Sequence, residues 1–451
     1  MSQLRDAGVL LHPTSLPPTR DSPLIGDLGA GAHAFIDWLA SAGFSAWQML
    51  PIGPVGAGNS PYCSTSSFAI EPMLVALDDL EAIPSSTVDW DQARLLKEER
   101  LRSMFAQTDL TCDEDFIEFA SVNAHWLPDY CAWVCENDQA FHTYVQFLLH
   151  TQFKALRAHA TARGIRLIGD LPIFVGLESA DVATRPELFR LDEAGQPTVV
   201  TGVPPDEFAK DGQLWGHPHY DWAVHQEEDF AWWHNRVSTA LQRFDALRID
   251  HFIGFVHAFE VDASESNARN GKWQTTPGRE LLTALQASLG PLPFIAEDLG
   301  TLTQDVLDLR REFDFPGMAV LQWSVLEATP PKIPIDTVVY PGTHDNNTAV
   351  GWWETLNENE RAIAQERIGA KPAEGLIAFA LECPAQTAII QAQDLLALGS
   401  EARMNRPGIA TGNWQWRLEP GELNAEVASR FQDLLRDTNP STTKSNQRLR
   451  Q

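Results

Sequence analysis

Short aliphatic and β-branched runs, each followed by a longer amphipathic or looped stretch, recur from one end of this chain to the other. The runs are GVLLHP (8–13), SAWQML (45–50), RLIGDLPI (166–173), FDALRIDH (244–251), PFIAEDL (293–299), GMAVLQW (317–323) and TVVYPGTHD (337–345), with a weaker eighth at EARMNRP (401–407). Between them lie helical stretches such as AFHTYVQFLLHTQFKALRAHA, where Phe141, Tyr144, Val145, Leu148, Phe153, Leu156 and Ala160 fall largely on one face and Gly164 ends the run. Strands alternating with helices make a parallel sheet, and eight such units predict a (β/α)8 TIM barrel. A chain of 451 residues suggests three domains by length alone, but one barrel with insertions between its strands absorbs that length. The expected organisation is one barrel over 1–437, with inserted helical subdomains at about 74–140 and 176–240 around its mouth. The tail, 438–451, has the composition of a disordered segment.

Composition narrows the class. Hydrophobic residues make up 44% of the chain, yet no apolar run approaches the ~18 residues of a membrane span. The start, MSQLRDAGVLLHPTSL, reaches proline too soon for a secretory signal, so a cytoplasmic location is expected. Five scattered cysteines do not make a disulfide framework, and the close pair Cys131 and Cys135 has no second pair to complete a metal site. A formal charge of −28 repels phosphate backbones and leaves a neutral ligand unaffected. Neither nucleic acid, nor membrane, nor a protein partner is implied.

Charges at the ends of the apolar runs carry the functional signal. Asp170, Asp250, Glu297, Asp298 and Asp345 each follow such a run and precede a loop, on four different predicted strands. One acid there is ordinary, because Asp caps helices and starts turns; four strands strain coincidence. Two chemistries gather carboxylates at a barrel mouth: a divalent-metal site, and an acid/base with a nucleophile flanking a glycosidic bond. Arg248 helps to decide. It stands two residues before Asp250, so the two side chains point the same way along a strand, and a guanidinium beside a carboxylate keeps it ionised. That suits a nucleophile, whereas a cation adds little to a metal's ligand shell, and no lysine stands near to abstract a proton. Neither metal nor organic cofactor is expected. Asp298, adjacent to Glu297, faces the other way and is assigned to structure.

These residues also carry a resemblance. ALRIDHF, IAEDLG and GTHDNNT, in that order, resemble the catalytic regions of the α-amylase clan, and in detail those of the 4-α-glucanotransferases of glycoside hydrolase family 77. The likeness extends from GVLLHPTSLP at Gly8 through WQMLPIGP, NSPYCSTSSFA, IGDLPIFV, GVPPDEF, GQLWGHP and FPGMAVLQW to GSEARMNRPG and GNWQWRL, nearly the whole chain. It implies that Asp250 is the nucleophile, Glu297 the general acid/base and Asp345 a carboxylate that binds sugar hydroxyls in the transition state. Arg248 and His344 would hold the sugar, with Asp170 nearby, Tyr62 stacked on its ring and Asn346 among the binding residues. The implied substrates are maltooligosaccharides and α-1,4-glucans. Sugar faces pack on aromatic rings, and among 15 tryptophans Trp215, in the loop DGQLWGHP, is the one expected to meet glucan. For Trp352, Trp353 and Trp416 a core position is at least as well supported.

Three other readings stand beside the transferase: a hydrolase of the same clan, a catalytically silent glucan-binding protein, and a metal-dependent barrel lyase. The chain also departs from the family pattern. A stretch of roughly one helical hairpin, which relatives carry over the cleft, is missing before Phe141, and SVLEATPPKIPIDTVVY is a shortened mouth loop. Ile253 and Val256 stand where the family has a basic and an acidic residue. Ala57 and Asn59 stand where an aromatic and an acid are usual, and Cys63 replaces a common amide.

Overall fold

The computed structural model describes residues 6–78, 80, 83–205, 210–300, 302–329 and 332–438. Among the described residues twelve strands are formed: β1 (Asp6–Leu10), β2 (Ala46–Gln48), β3 (Arg166–Pro172), β4 (Val199–Val203), β5 (Gln213–Pro218), β6 (Ala246–Asp250), β7 (His257–Asp262), β8 (Lys272–Thr275), β9 (Phe294–Ala296), β10 (Gly317–Val320), β11 (Thr337–Tyr340) and β12 (Thr387–Gln391). Eight of them run parallel in the order β10-β11-β12-β1-β2-β3-β6-β9, with helices in the connections, and this is the expected TIM barrel. Side chains alternate along each strand. Leu10, Ala46, Ile168, Ile295, Met318, Val338 and Ile389 pack together inside the sheet, while neighbours such as Val9, Trp47, Leu167, Ile249 and Ile390 belong to the larger core beneath the helices.

Six strands fall within the expected runs and β1 overlaps its run, starting two residues earlier, but the eighth does not. β12 pairs with β11 on one side and β1 on the other, and it is TAIIQ, not EARMNRP. The latter run forms a 3-10 turn, Ser400–Ala402, and an extended loop. Its alternating charges have no place in a strand buried on both faces, which needs the continuous apolar character of Ala388, Ile389 and Ile390, each fully buried. Helix Gln139–Ala162 forms as expected, except that Leu149 is buried in place of Leu148 and Gln146 is buried with it. Gln146 accepts from the Ile70 N–H at 2.9 Å and donates to the Ile70 carbonyl at 2.8 Å, so its amide is satisfied inside the core.

The 176–240 insertion, expected to be helical, also contains β4 and β5. These join β7 and β8, which follow β6, in a second, antiparallel sheet of order β5-β4-β7-β8. Two insertions from the carboxyl end of the barrel thus share one sheet, which holds β5 above the mouth. The tail expected to be disordered lies outside the described residues beyond Thr438. Among the described residues no helix is long and apolar enough to cross a membrane.

Between β9 and β10 the barrel is closed by a different device. The Ala296 N–H donates to the Pro316 carbonyl at 2.9 Å, and the Met318 N–H donates to Oδ1 of Asp298 at 2.8 Å. Oδ2 of Asp298 is 3.2 Å from Arg310, both side chains being buried. Asp298 therefore faces away from Glu297 and bridges the seam. Gly317 lies against this pair: a Cβ there would stand 1.8 Å from Nη1 of Arg310 and 2.5 Å from Oδ2 of Asp298. Gly317→Ala must push the ion pair apart, so we expect a loss of about 2 to 4 kcal/mol in stability, measured as a lowered urea midpoint at unchanged slope. A midpoint equal to that of the parent protein would show that the seam does not depend on this contact.

Candidate active site

Polar side chains replace apolar ones along the inward faces of the strands as the chain nears their carboxyl ends. On β3 the sequence of inward residues is Ile168 then Asp170, and on β6 it is Ala246, Arg248, Asp250. Asp170 and Arg248 are direct neighbours in the β3–β6 register. Nη1 of Arg248 donates to both oxygens of Asp170, at 2.9 and 2.8 Å, and lies 2.9 Å from Oδ1 of Asp250. The Tyr62 hydroxyl donates to Oδ2 of Asp170 at 2.8 Å. One guanidinium therefore serves two carboxylates, and those carboxylates raise its pKa further above the ordinary arginine value against the opposing effect of burial. Burial pushes Asp170 up to about 7, against the pull of Arg248.

Glu297 follows the last residue of β9, beside the end of β6. Its own N–H donates to the Ile249 carbonyl at 3.0 Å, and its carbonyl accepts from Phe252 N–H at 3.0 Å. The carboxyl accepts from the His251 N–H at 2.7 Å and from the Leu299 N–H at 3.3 Å. Burial pushes Glu297 up to about 8; Arg248 and the two N–H groups oppose that, and Asp250 adds to it. His251 makes this geometry with a left-handed backbone, φ 54° and ψ 52°, a conformation that costs a non-glycine residue free energy. Its imidazole meets Trp215 edge-on at 4.8 Å, its Nε2 is buried with no partner, and burial lowers its pKa to about 4. Sequence reading assigned His251 no role. A polar residue directly after Asp250 is a visible signal; the left-handed turn that aims its N–H is not.

The third acid, Asp345, lies on the loop after β11. Its Oδ1 accepts from Nδ2 of Asn405 at 2.6 Å and is 3.4 Å from Nε2 of His344. His344 stacks on Tyr62 with ring centroids 5.0 Å apart and planes at 14°, so one face of the tyrosine expected to meet sugar is occupied by imidazole. Oδ1 of Asn346 accepts from the N–H and the hydroxyl of Thr343, both at 2.9 Å, and so shapes its own loop. Trp215 stands on β5, its indole N–H donating to Gln213 at 3.2 Å. Two residues on along that strand, His217 is lowered to about 4 by burial, with Asp250 near enough to pull the other way. Trp352 is buried, and Trp353 and Trp416 pack partly buried against the core. Of the departing positions, Ile253 is buried in the core, while Asn59 accepts from Arg94 at 2.5 Å. Among the described residues no group of three or more His, Cys, Asp or Glu is disposed to hold a metal ion.

The expected residues thus meet in one place: Tyr62, Asp170, Arg248 and Asp250 in a single bonded group, Glu297 beside it, and His344, Asp345 and Asn346 on the adjoining loop. A family model described as 4-alpha-glucanotransferase matches residues 11–140 and 135–424, two pieces that overlap at 135–140. The 4-alpha-glucanotransferase of Synechocystis sp. is 40% identical, over 94% of this chain and 96% of that one. The enzyme of that name from Thermus thermophilus is 38% identical, over 96% and 99%. A solved amylomaltase from Streptococcus agalactiae, in complex with acarbose, superposes with a TM-score of 0.81 at 32% identity, covering 96% of this chain and 99% of that one. On these matches and this arrangement of acids, the chain belongs to glycoside hydrolase family 77, the family of the 4-alpha-glucanotransferases.

Proposed function

We propose that this protein transfers segments of α-1,4-glucan between maltooligosaccharides by double displacement with retention at the anomeric carbon. The observation that carries the reading is the contrast between two neighbouring acids. Asp250 is ion-paired to a buried arginine, and Glu297 is pushed up to about 8 by burial. At neutral pH Glu297 holds a proton, which it gives to the departing glycosidic oxygen. Asp250 attacks the anomeric carbon from the other side, and the C–O bond to the leaving sugar breaks as an ester to Asp250 forms. Glu297, now a carboxylate, takes the proton of an incoming sugar 4-hydroxyl; that oxygen attacks the anomeric carbon and Asp250 leaves. Asp345 accepts hydroxyl hydrogen bonds as the ring flattens, and Arg248, His344, Tyr62 and Trp215 hold the sugar in place. A cytoplasmic setting belongs to the same reading, supported by Cys63, Cys112, Cys131 and Cys135, none of which is in a disulfide.

Roles separate by donor. Asp250→Asn removes nearly all turnover with any donor, because a neutral amide is a poor nucleophile. Glu297→Gln lowers maltotriose turnover by about 10²- to 10⁴-fold yet spares the first step with α-glucosyl fluoride, read as fluoride released when the ester forms, because that leaving group needs no proton. Equal losses for both variants on the fluoride would contradict the assignment.

The pH dependence follows with its sign. The first step needs protonated Glu297, so kcat/KM for maltotriose falls as pH rises through about 8, and the same limb is flattened with the fluoride donor. An alkaline limb identical for both donors would remove Glu297 as its origin.

Transfer exceeds hydrolysis only when water is kept from the ester while an acceptor is held. Here helices Leu127–Val134 and Gln139–Ala162 are joined by little more than the turn Glu136–Asp138, at the junction of the two family matches. With less cover, the enzyme should still disproportionate maltotriose, but with a larger hydrolytic fraction and a weaker dependence on acceptor than covered relatives. The measurement is new reducing ends against total bonds cleaved, across acceptor concentrations. Equal fractions in this enzyme and a covered relative would dissociate the cover from water exclusion.

A further inference from the structure

Asp345 is the acid least fixed by its own element. It lies on the loop following Tyr340, the last residue of β11, and its side chain is 47% exposed. The strands that set Asp250 and Glu297 do not reach it. A second loop does. Met404 enters the apolar cluster inside the barrel and is 5% exposed, and its carbonyl accepts from the Trp414 N–H at 2.9 Å. In extended backbone, side chains on either side of such an anchor point the opposite way. Those flanking residues, Arg403 and Asn405, both reach the Asp345 loop. Nδ2 of Asn405 donates to Oδ1 of Asp345 at 2.6 Å, Nη2 of Arg403 donates to the Asp345 carbonyl at 2.6 Å, and the Asn405 N–H donates to the His344 carbonyl at 3.1 Å. Nε of Arg403 also donates to the Asn405 carbonyl at 2.7 Å, which ties the two flanking residues together.

We propose that Asn405, backed by Arg403, is a positioning residue that holds the Asp345 carboxylate in the orientation from which it meets the sugar. The inference rests on the role given to Asp345 above. A carboxylate only accepts hydrogen bonds, so the amide must present its NH2 to it, and by taking Oδ1 it leaves Oδ2 to offer to substrate hydroxyls. The alternation in EARMNRP is therefore real, with its polar face turned to a catalytic loop.

The test is a double-mutant cycle between positions 405 and 345, read with maltotriose and, where rates are low, with α-glucosyl fluoride. Asn405→Ala should lower kcat by about 10- to 100-fold while KM changes less, the scale expected when a reacting group is misplaced by about 1 Å. Asn405→Asp keeps the shape and sets a like charge against Asp345, so its loss should be at least as large, which keeps the test decisive if the alanine variant folds poorly. Asn405→Gln, which retains the donor, should recover part of the rate. In an Asp345→Ala background the substitutions at 405 should cost less than about threefold, since the group they position is gone. Undiminished losses in that background overturn the proposal, as does full activity of Asn405→Ala. Full activity of Asp345→Ala alone would instead overturn the role of Asp345 itself.

Discussion

One guanidinium holds this site together. Arg248 is buried between Asp170 and Asp250, and removing a charged pair from water costs several kcal/mol per ion unless further hydrogen bonds compensate. The compensation here comes from three elements: β3 through Asp170, β6 through Asp250, and the loop that carries Tyr62. Because the charge cannot be left unpaired, their relative positions are fixed together. Tyr62 extends that constraint to His344 by ring stacking, and so to the loop of Asp345. The charge balance has a chemical consequence. Burial keeps the Glu297 proton in place; Arg248 pulls against it, and Asp250 adds to it. The guanidinium that ties Asp250 into the barrel thus acts against the Glu297 proton, which burial retains in spite of it.

The residues that were legible in the sequence are those whose position depends on strand alternation. Arg248 and Asp250, two apart, had to share a face, and Glu297 and Asp298 could not; Asp298 closes the β9–β10 seam instead. β12 was missed because TAIIQ is only five residues long and follows the apolar helix Pro372–Glu382, so it does not stand out as a separate run. EARMNRP was taken as a strand because it does alternate, although a buried parallel strand cannot take its charges. The second sheet was invisible for another reason. Its halves, β4 with β5 and β7 with β8, come from separate insertions, and nothing local to either announces the pairing. His251 was overlooked because its contribution is a backbone N–H aimed by a left-handed turn, and no side-chain pattern encodes that.

The family resemblance contributed what alternation could not, the loop-borne residues. Tyr62 and His344 sit on segments whose position is set by contacts between loops, which a single sequence read locally does not specify. Even then it did not describe them fully. Tyr62 turns one ring face to His344, and the Asn346 amide oxygen is engaged by Thr343.

This division between strand and loop bears on how the chain can differ from its relatives and keep their chemistry. In the proposed mechanism bond making and breaking need Asp250 and Glu297 at a fixed separation, and both are held by barrel backbone: Glu297 N–H to the Ile249 carbonyl, Phe252 N–H to the Glu297 carbonyl. A change in a mouth loop does not move those bonds. The departures from the family pattern expected from the sequence lie mostly in such loops, at the short junction after Val134 and around Asn59. Ile253 shows the limit of that freedom: set directly after the β6 turn, it is buried in the core, so its departure alters packing beneath the site and exposes no new group to the sugar. Rigid strands carry the reaction, and the loops above them can be shortened or refitted at the cost of how well they hold the acceptor and exclude water.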